Sequence, residues 1–127
     1  MLESSPTTLT PIAEYFKVLS EVSRLQVLCA LKTGAKNVTE IMEITQLKQA
    51  NVSKHLQILA QTGIIKRQPQ GVSVFYEISD PIIFDVCELV CQSLSVRLAQ
   101  QSQQIKQLEN SALATSDGLR VNLGDRR

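Results

Sequence analysis

The sequence is poor in the residues from which catalytic and metal sites are built. It has one histidine, His55, three cysteines and five glycines in 127 residues. One imidazole cannot supply a His-rich metal site, a zinc-protease motif or a His/carboxylate metal pair. A Ser–His–Asp triad survives the count, but no nucleophile-elbow glycine pattern frames any serine. Five scattered glycines make no phosphate-cradling loop. An odd number of cysteines without a secretory leader argues against a disulfide framework. No apolar run approaches the roughly eighteen residues of a membrane span. Met1–Pro11 has neither a basic n-region nor an apolar h-region, so the expected compartment is the cytoplasm and no membrane partner is expected. Together these absences weigh against an enzyme.

Acid is also missing where it matters. Residues 44–76 hold Lys48, Lys54, Lys66 and Arg67 and no carboxylate, a local charge of +4 inside a chain of net charge +1. The flanking segments are slightly acidic, −1 before and −2 after. Such a stretch can lie along a polyanion. On charge alone a solvated basic face accounts for it equally well. Apolar residues at 43% and charged residues at 20% describe a soluble globular domain, and the length suits one domain.

Residues 1–9 are expected to be a flexible N-terminus, 10–110 the folded domain and 111–127 a disordered tail. A helical pattern starts at Thr10, a candidate cap, with Pro11 in the first turn and Ile12, Tyr15, Phe16 and Leu19 on one face. Ser20 reads as the next cap. Val22, Leu25, Leu28 and Cys29 form a stripe that ends near Leu31, before Gly34. A short third helix is expected after Thr39, with Ile41 and Ile44 on its face. Residues 48–61 form a fourth. Its stripe is Val52, Leu56 and Leu59, with Ile58 beside it, and Gly63 stops it. Two strand-like runs, Ile64–Gln68 and Ser73–Ile78, flank a Pro69-Gln70-Gly71 turn. Ser79 or Asp80 then caps a long last helix whose stripe runs from Ile82 through Leu94 to Leu108. That helix has more apolar surface than its own domain can cover, which points to a second copy.

A short helix, a polar link at Thr45–Leu47 and an amphipathic helix with an amide-rich outer face make a helix-turn-helix, and the hairpin after it makes a wing. The fold class is therefore mainly α with a small β-hairpin, in the order α-α-α-α-β-β-α. Gln and Asn bond bidentately to adenine edges, while Lys and Ser suit phosphate oxygens. The residues expected to meet DNA are Lys48, Gln49, Asn51, Ser53, Lys54, His55 and Gln57 on the helix, with Lys66, Arg67 and Gln70 on the wing. A lone helical histidine often makes only a packing hydrogen bond. Its place beside Lys54, read as opposite the apolar stripe, favours contact with DNA.

The run Leu47-Lys-Gln-Ala-Asn-Val-Ser-Lys-His-Leu56, then Leu59, Gly63-Ile-Ile-Lys-Arg67 and Gly71 to Tyr76, resembles the ArsR/SmtB family of winged helix-turn-helix repressors. Leu19-Ser-Glu-Val-Ser-Arg-Leu-Gln-Val-Leu28 resembles that family's second-helix signature. The likeness spans about residues 12–98. It implies a homodimer joined through the first and last helices, a recognition helix at about 49–61, double-stranded operator DNA as partner, and repression lifted by an inducer.

Two of the family's familiar metal sites are not matched. Val38–Ile44 has no Cys-x-Cys pair, and Asp80–Leu94 has no histidine. Thiols remain. Cys87 and Cys91 share a helix face four residues apart, and Cys29 ends the second helix. The family's persulfide and redox sensors pair a second-helix cysteine with one on the last helix. Cys29 resembles the first; by position the second falls nearer Ser95, about a turn after Cys91. The expected signal is an oxidant or persulfide at Cys29, Cys87 and Cys91. The alternative is a thiophilic metal or metalloid ion such as arsenite held by the three sulfurs, with no other cofactor. Plain burial is the competing explanation for all three. A dithiol redox enzyme is a poor rival, because the spacing is Cys-x3-Cys and no βαβ unit surrounds it. A winged adaptor that binds protein is the other.

Overall fold

The structure, a computed structural model, describes residues 4–115. It falls into two compact units, one up to Ile83 and one from Phe84 onward.

The first unit begins with α1 (Pro6–Val18), capped by Ser5, whose hydroxyl accepts from the Thr8 N–H. The helix thus starts before the expected Thr10 cap, and residues 6–9 are helical rather than a loose arm. Pro6 fills the first-turn position where its missing N–H is harmless; Pro11 lies inside the helix. Ser20 does not cap α2 (Val22–Ala30). It closes α1 instead, donating to the Lys17 carbonyl at 2.6 Å, and Glu21 is the α2 N-cap. α3 (Val38–Thr45) is capped two residues earlier than Thr39. Asn37 and Glu40 form a reciprocal capping box, each side chain accepting from the other's backbone N–H at 2.9 Å. Gln46, at φ 61°, ends it in the left-handed region.

α4 (Gln49–Gln61) follows after a three-residue link, residues 46–48. It stops where Gly63, at φ 81°, takes a conformation that disfavours a side chain. Four residues spaced i, i+3, i+4 and i+7 on α2, namely Arg24, Val27, Leu28 and Leu31, face inward. They meet Ile41 of α3 and the matching set Val52, His55, Leu56 and Leu59 of α4. Ile64, Ile65 and Ile83 complete an aliphatic core. Each fully buried aliphatic side chain contributes about 1.5–3 kcal/mol.

The wing is a two-stranded antiparallel hairpin, β1 (Ile65–Gln70) and β2 (Ser73–Ile78), with Ile65 opposite Ile78 and Gln70 opposite Ser73. Pro69 and Gln70 are in the strand, not the turn. The turn is Gly71-Val72, with Gly71 at φ 63° in the first position, as a type II′ hairpin requires. Tyr76 exchanges both backbone bonds with Lys36, at 2.9 and 3.0 Å, so its N–H and C=O point away from β1. By alternation, Pro69 opposite Val74 is also a pair without ladder bonds. Its missing N–H therefore removes nothing from the hairpin.

α5 (Ile82–Thr115) is 34 residues long, and Asp80 accepts from the Ile82 N–H at 3.1 Å. It continues through residues 111–115, which were expected to belong to the tail; residues 116–127 lie outside the described part. Leu89, Val90, Leu94, Leu98, Ile105 and Leu108 are exposed along it.

Candidate nucleic-acid interface

The outer face of α4 carries the side chains expected there, with one exception. Gln49, Asn51, Ser53, Lys54 and Gln57 are exposed, as is Lys48 at the N-cap. No side chain caps the helix, so its first N–H groups have no side-chain acceptor. A helix start in that state favours an anion. Ala50 keeps the surface low between Gln49 and Asn51.

The exception is His55. Its side chain is not on the outer face but 4% exposed within the helix packing. The spacing explains this correction: Val52, His55, Leu56 and Leu59 lie at i, i+3, i+4 and i+7, so His55 belongs to the apolar stripe. Nε2 lies 2.8 Å from Ser23 Oγ and 3.3 Å from Glu21 Oε1. The Ser23 hydroxyl donates to Glu21 Oε1 at 2.7 Å. Its oxygen is then left to accept from His55, which assigns the ring proton to Nε2. Nδ1 is buried with no hydrogen-bond partner. Burial pushes the imidazole below its usual pKa, against the pull of Glu21; Arg24 and Lys54 push the same way as burial. The Ser23 hydroxyl, His55, Arg24 and Lys54 hold Glu21 below its usual value, against a smaller opposing desolvation.

This serine, histidine and carboxylate do not form a nucleophilic triad. In a triad the carboxylate binds the ring nitrogen that does not face the serine. Here serine and carboxylate share Nε2, and Nδ1 has nothing.

Arg24 joins the same cluster from below. Its guanidinium donates to the Val18 and Lys17 carbonyls at the end of α1 and meets Glu21 at 3.4 Å. Glu21, Ser23 and Arg24 were not foreseen as partners of His55. The available signal was the residue type at an inward position of α4, since a buried imidazole must find polar neighbours.

On the wing the two basic residues separate. Lys66 is paired with Glu77 across the hairpin at 3.2 Å, as their register dictates. Arg67 is exposed and lines an open cleft of about 370 Å³ with Ser53, Leu56, Gln57, Ala60, Gln61 and Tyr76. The structure thus brings Arg67, but not Lys66, to the outer face of α4. Gln70 is exposed near the tip. Gln61 and Tyr76 were missed. Gln61 is one turn beyond Gln57 and two beyond Ser53, and Tyr76 is the strand partner of Arg67.

Cys29 departs from its expected stripe. Val22 and Cys29 face solvent, while Arg24 and Val27 turn inward. Cys29 lines a cleft of about 390 Å³ with Val22, Leu25, Gln26, Ala30, Ile44 and Thr45. Cys91 is exposed, Cys87 is half-buried, and none of the three forms a disulfide. Simple space-filling therefore does not account for Cys29 or Cys91. Among the described residues, no three His, Cys, Asp or Glu side chains come together as a metal site. No described helix is long and apolar enough to cross a membrane.

Comparison with known proteins agrees with this geometry. Residues 21–67 match the model of the bacterial regulatory protein, arsR family. The transcriptional repressor PagR of Bacillus anthracis is 34% identical over 79 residues, 61% of this chain and 79% of PagR. The arsenical resistance operon repressor of Bacillus subtilis is 32% identical over 84 residues, 63% of this chain and 77% of that protein. A homodimeric winged helix-turn-helix DNA-binding domain from Mycobacterium bovis superimposes with a TM-score of 0.65 at 26% identity, covering 77% of this chain and 94% of that one.

Proposed function

The chain belongs to the arsR family of bacterial regulatory proteins, DNA-binding regulators rather than enzymes, and on that footing we propose that it is a homodimeric repressor whose two α4 helices enter successive major grooves of a two-fold operator. The observation that carries this is the exposed surface of Gln49, Asn51, Ser53, Lys54 and Gln57, flanked on the same side by Arg67 of the wing. Amides read base edges; Lys48, Lys54, Arg67 and the uncapped start of α4 meet phosphates. Gln70 reaches the neighbouring backbone from the wing tip. His55 acts from inside. The exposed apolar residues of α5 and Phe16 of α1, 53% exposed, supply the surface a second copy covers. The homodimeric relative supports this assembly. The half-sites then lie about one DNA turn, roughly 34 Å, apart.

Release is thiol-based. Cys29 and Cys91 are open to solvent, and Cys87 shares a helix with Cys91. A thiolate attacks a peroxide, forming an S–O bond as the O–O bond breaks and water leaves; a second thiol then displaces water to close a disulfide. A polysulfide donor would instead transfer one sulfur atom to the thiolate. Either product resets the two recognition helices relative to each other, and both half-sites no longer fit at once.

The test is fluorescence anisotropy on a duplex obtained by in-vitro selection, with the protein reduced, peroxide-treated, polysulfide-treated, and as Cys29→Ser, Cys87→Ser and Cys91→Ser. Saturable binding by the reduced protein, weakened by oxidant and insensitive in a serine variant, is the expected result. Binding that ignores oxidant leaves the DNA-binding reading and removes the thiol one. Absence of any selected duplex removes both. Intact mass separates a disulfide from a persulfide.

A further inference from the structure

We infer that His55 is the positioning residue of the recognition helix, acting through Ser23 to Glu21, and that its protonation unseats α4 and weakens DNA binding. This rests on the reading of α4 as the groove-entering element.

Among the described residues, His55 and Arg24 are the two buried polar side chains. Through Ser23, His55 ties the middle of α4 to the first turn of α2, and Arg24 ties that same turn to the end of α1. The side chains flanking His55 in sequence, Ser53, Lys54 and Gln57, are exposed on the binding face. Whatever moves the ring off Ser23 therefore turns those side chains.

A proton does this. Nε2 already donates, so the second proton must go on Nδ1, which is buried and has no acceptor. An unpaired buried N–H is costly, and the ring can expose it only by leaving Ser23. The charged groups acting on the ring are Glu21 and Arg24 from α2 and Lys54 from α4 itself. Glu21 favours the imidazolium; Arg24, Lys54 and burial oppose it. One force runs the other way: a cationic ring near phosphates attracts them. Because the ring sits on the inner face with Glu21 3.3 Å away, loss of the helix seat outweighs that attraction.

The chain suits a clean test, since His55 is its only histidine. Carboxylates ordinarily titrate near 4 and thiols near 8.5, so no other side chain of ordinary pKa changes charge between pH 5.5 and 7. Operator affinity of the full chain, measured by anisotropy at constant ionic strength, is expected to fall about tenfold from pH 7.5 to 5.5. His55→Gln keeps an amide N–H where Nε2–H was and does not titrate. It is expected to bind within about threefold of wild type at pH 7.5 and to show no such fall. His55→Ala is expected to bind weakly at both pH values.

A second measurement needs no variant. The imidazole resonances of the free wild-type protein are expected to titrate below the ordinary histidine range. Equal pH slopes for wild type and His55→Gln, affinity that rises on acidification, or an ordinary titration overturns the inference while leaving DNA binding intact. No binding by the wild type at pH 7.5 overturns both readings.

Discussion

The sorting of the cations makes a quantitative claim about salt. Of the basic residues in the acid-free stretch, Lys48, Lys54 and Arg67 are exposed and unpaired by any carboxylate among the described residues, while Lys66 is held by Glu77. His55, buried and neutral, releases no counterion. On the proposed interface a dimer would neutralise about six phosphates, and log K against log salt should have a slope of about −5. Raising salt from about 50 to 200 mM then weakens binding roughly a thousandfold. Counting Lys66 as well would steepen the slope to about −7. Lys54→Ala and Arg67→Ala should each make the slope shallower by about 2 per dimer, and Lys66→Ala should leave it unchanged within about 0.5. Anisotropy titrations of one duplex at five salt concentrations measure this. A Lys66→Ala effect as large as that of Arg67→Ala would refute the sorting, because it would mean that the ion pair opens on DNA. A wild-type slope shallower than about −3 would mean that only one protomer grips the duplex.

Stability should respond to acid in two steps. His55 has a folded pKa below its unfolded value near 6.5, so the unfolded chain binds more protons as pH falls. Urea midpoints should therefore begin to drop just below pH 6.5, and this component should be absent in His55→Gln. Glu21, also depressed, contributes stability that is present above about pH 4.5 and lost as pH falls through its folded value. Arg24→Ala removes charged donors from two α1 carbonyls and should cost about 2–3 kcal/mol in urea unfolding at fixed protomer concentration; a loss under about 1 kcal/mol would count against the bridge. Asn37→Ala deletes half of a capping box and should cost about 1 kcal/mol, without changing the salt slope of DNA binding.

The elements themselves were legible because each carries its own punctuation. Gly63 after Leu59, and the alternation in Ser73–Ile78, fix α4 and β2 within a residue. What could not be read was which of several plausible caps the chain uses. Ser5, Thr10, Ser20, Asn37 and Thr39 all have the right chemistry, and the structure uses Ser5 and Asn37. The candidate interface was legible as a surface and not as a set of roles. His55 stood among polar neighbours in sequence but on the apolar side by angle, and counting in steps of 100° would have placed it. Lys66 and Arg67 are adjacent, so strand alternation sends them to opposite faces; which one reaches α4 depends on how the wing folds back, a tertiary fact. The reversal of Cys29 from stripe to surface has the same origin, since Arg24 takes the inward place in order to reach α1.

The position of Pro69 has a consequence for the proposed pairing of two copies. Ile65, Arg67 and Pro69 are the β1 residues whose backbone groups point away from β2. An extended segment that tried to extend the sheet there would find no donor at Pro69 and a cation at Arg67. On the proposed DNA complex, two wings brought close would therefore meet along an edge poorly suited to strand pairing.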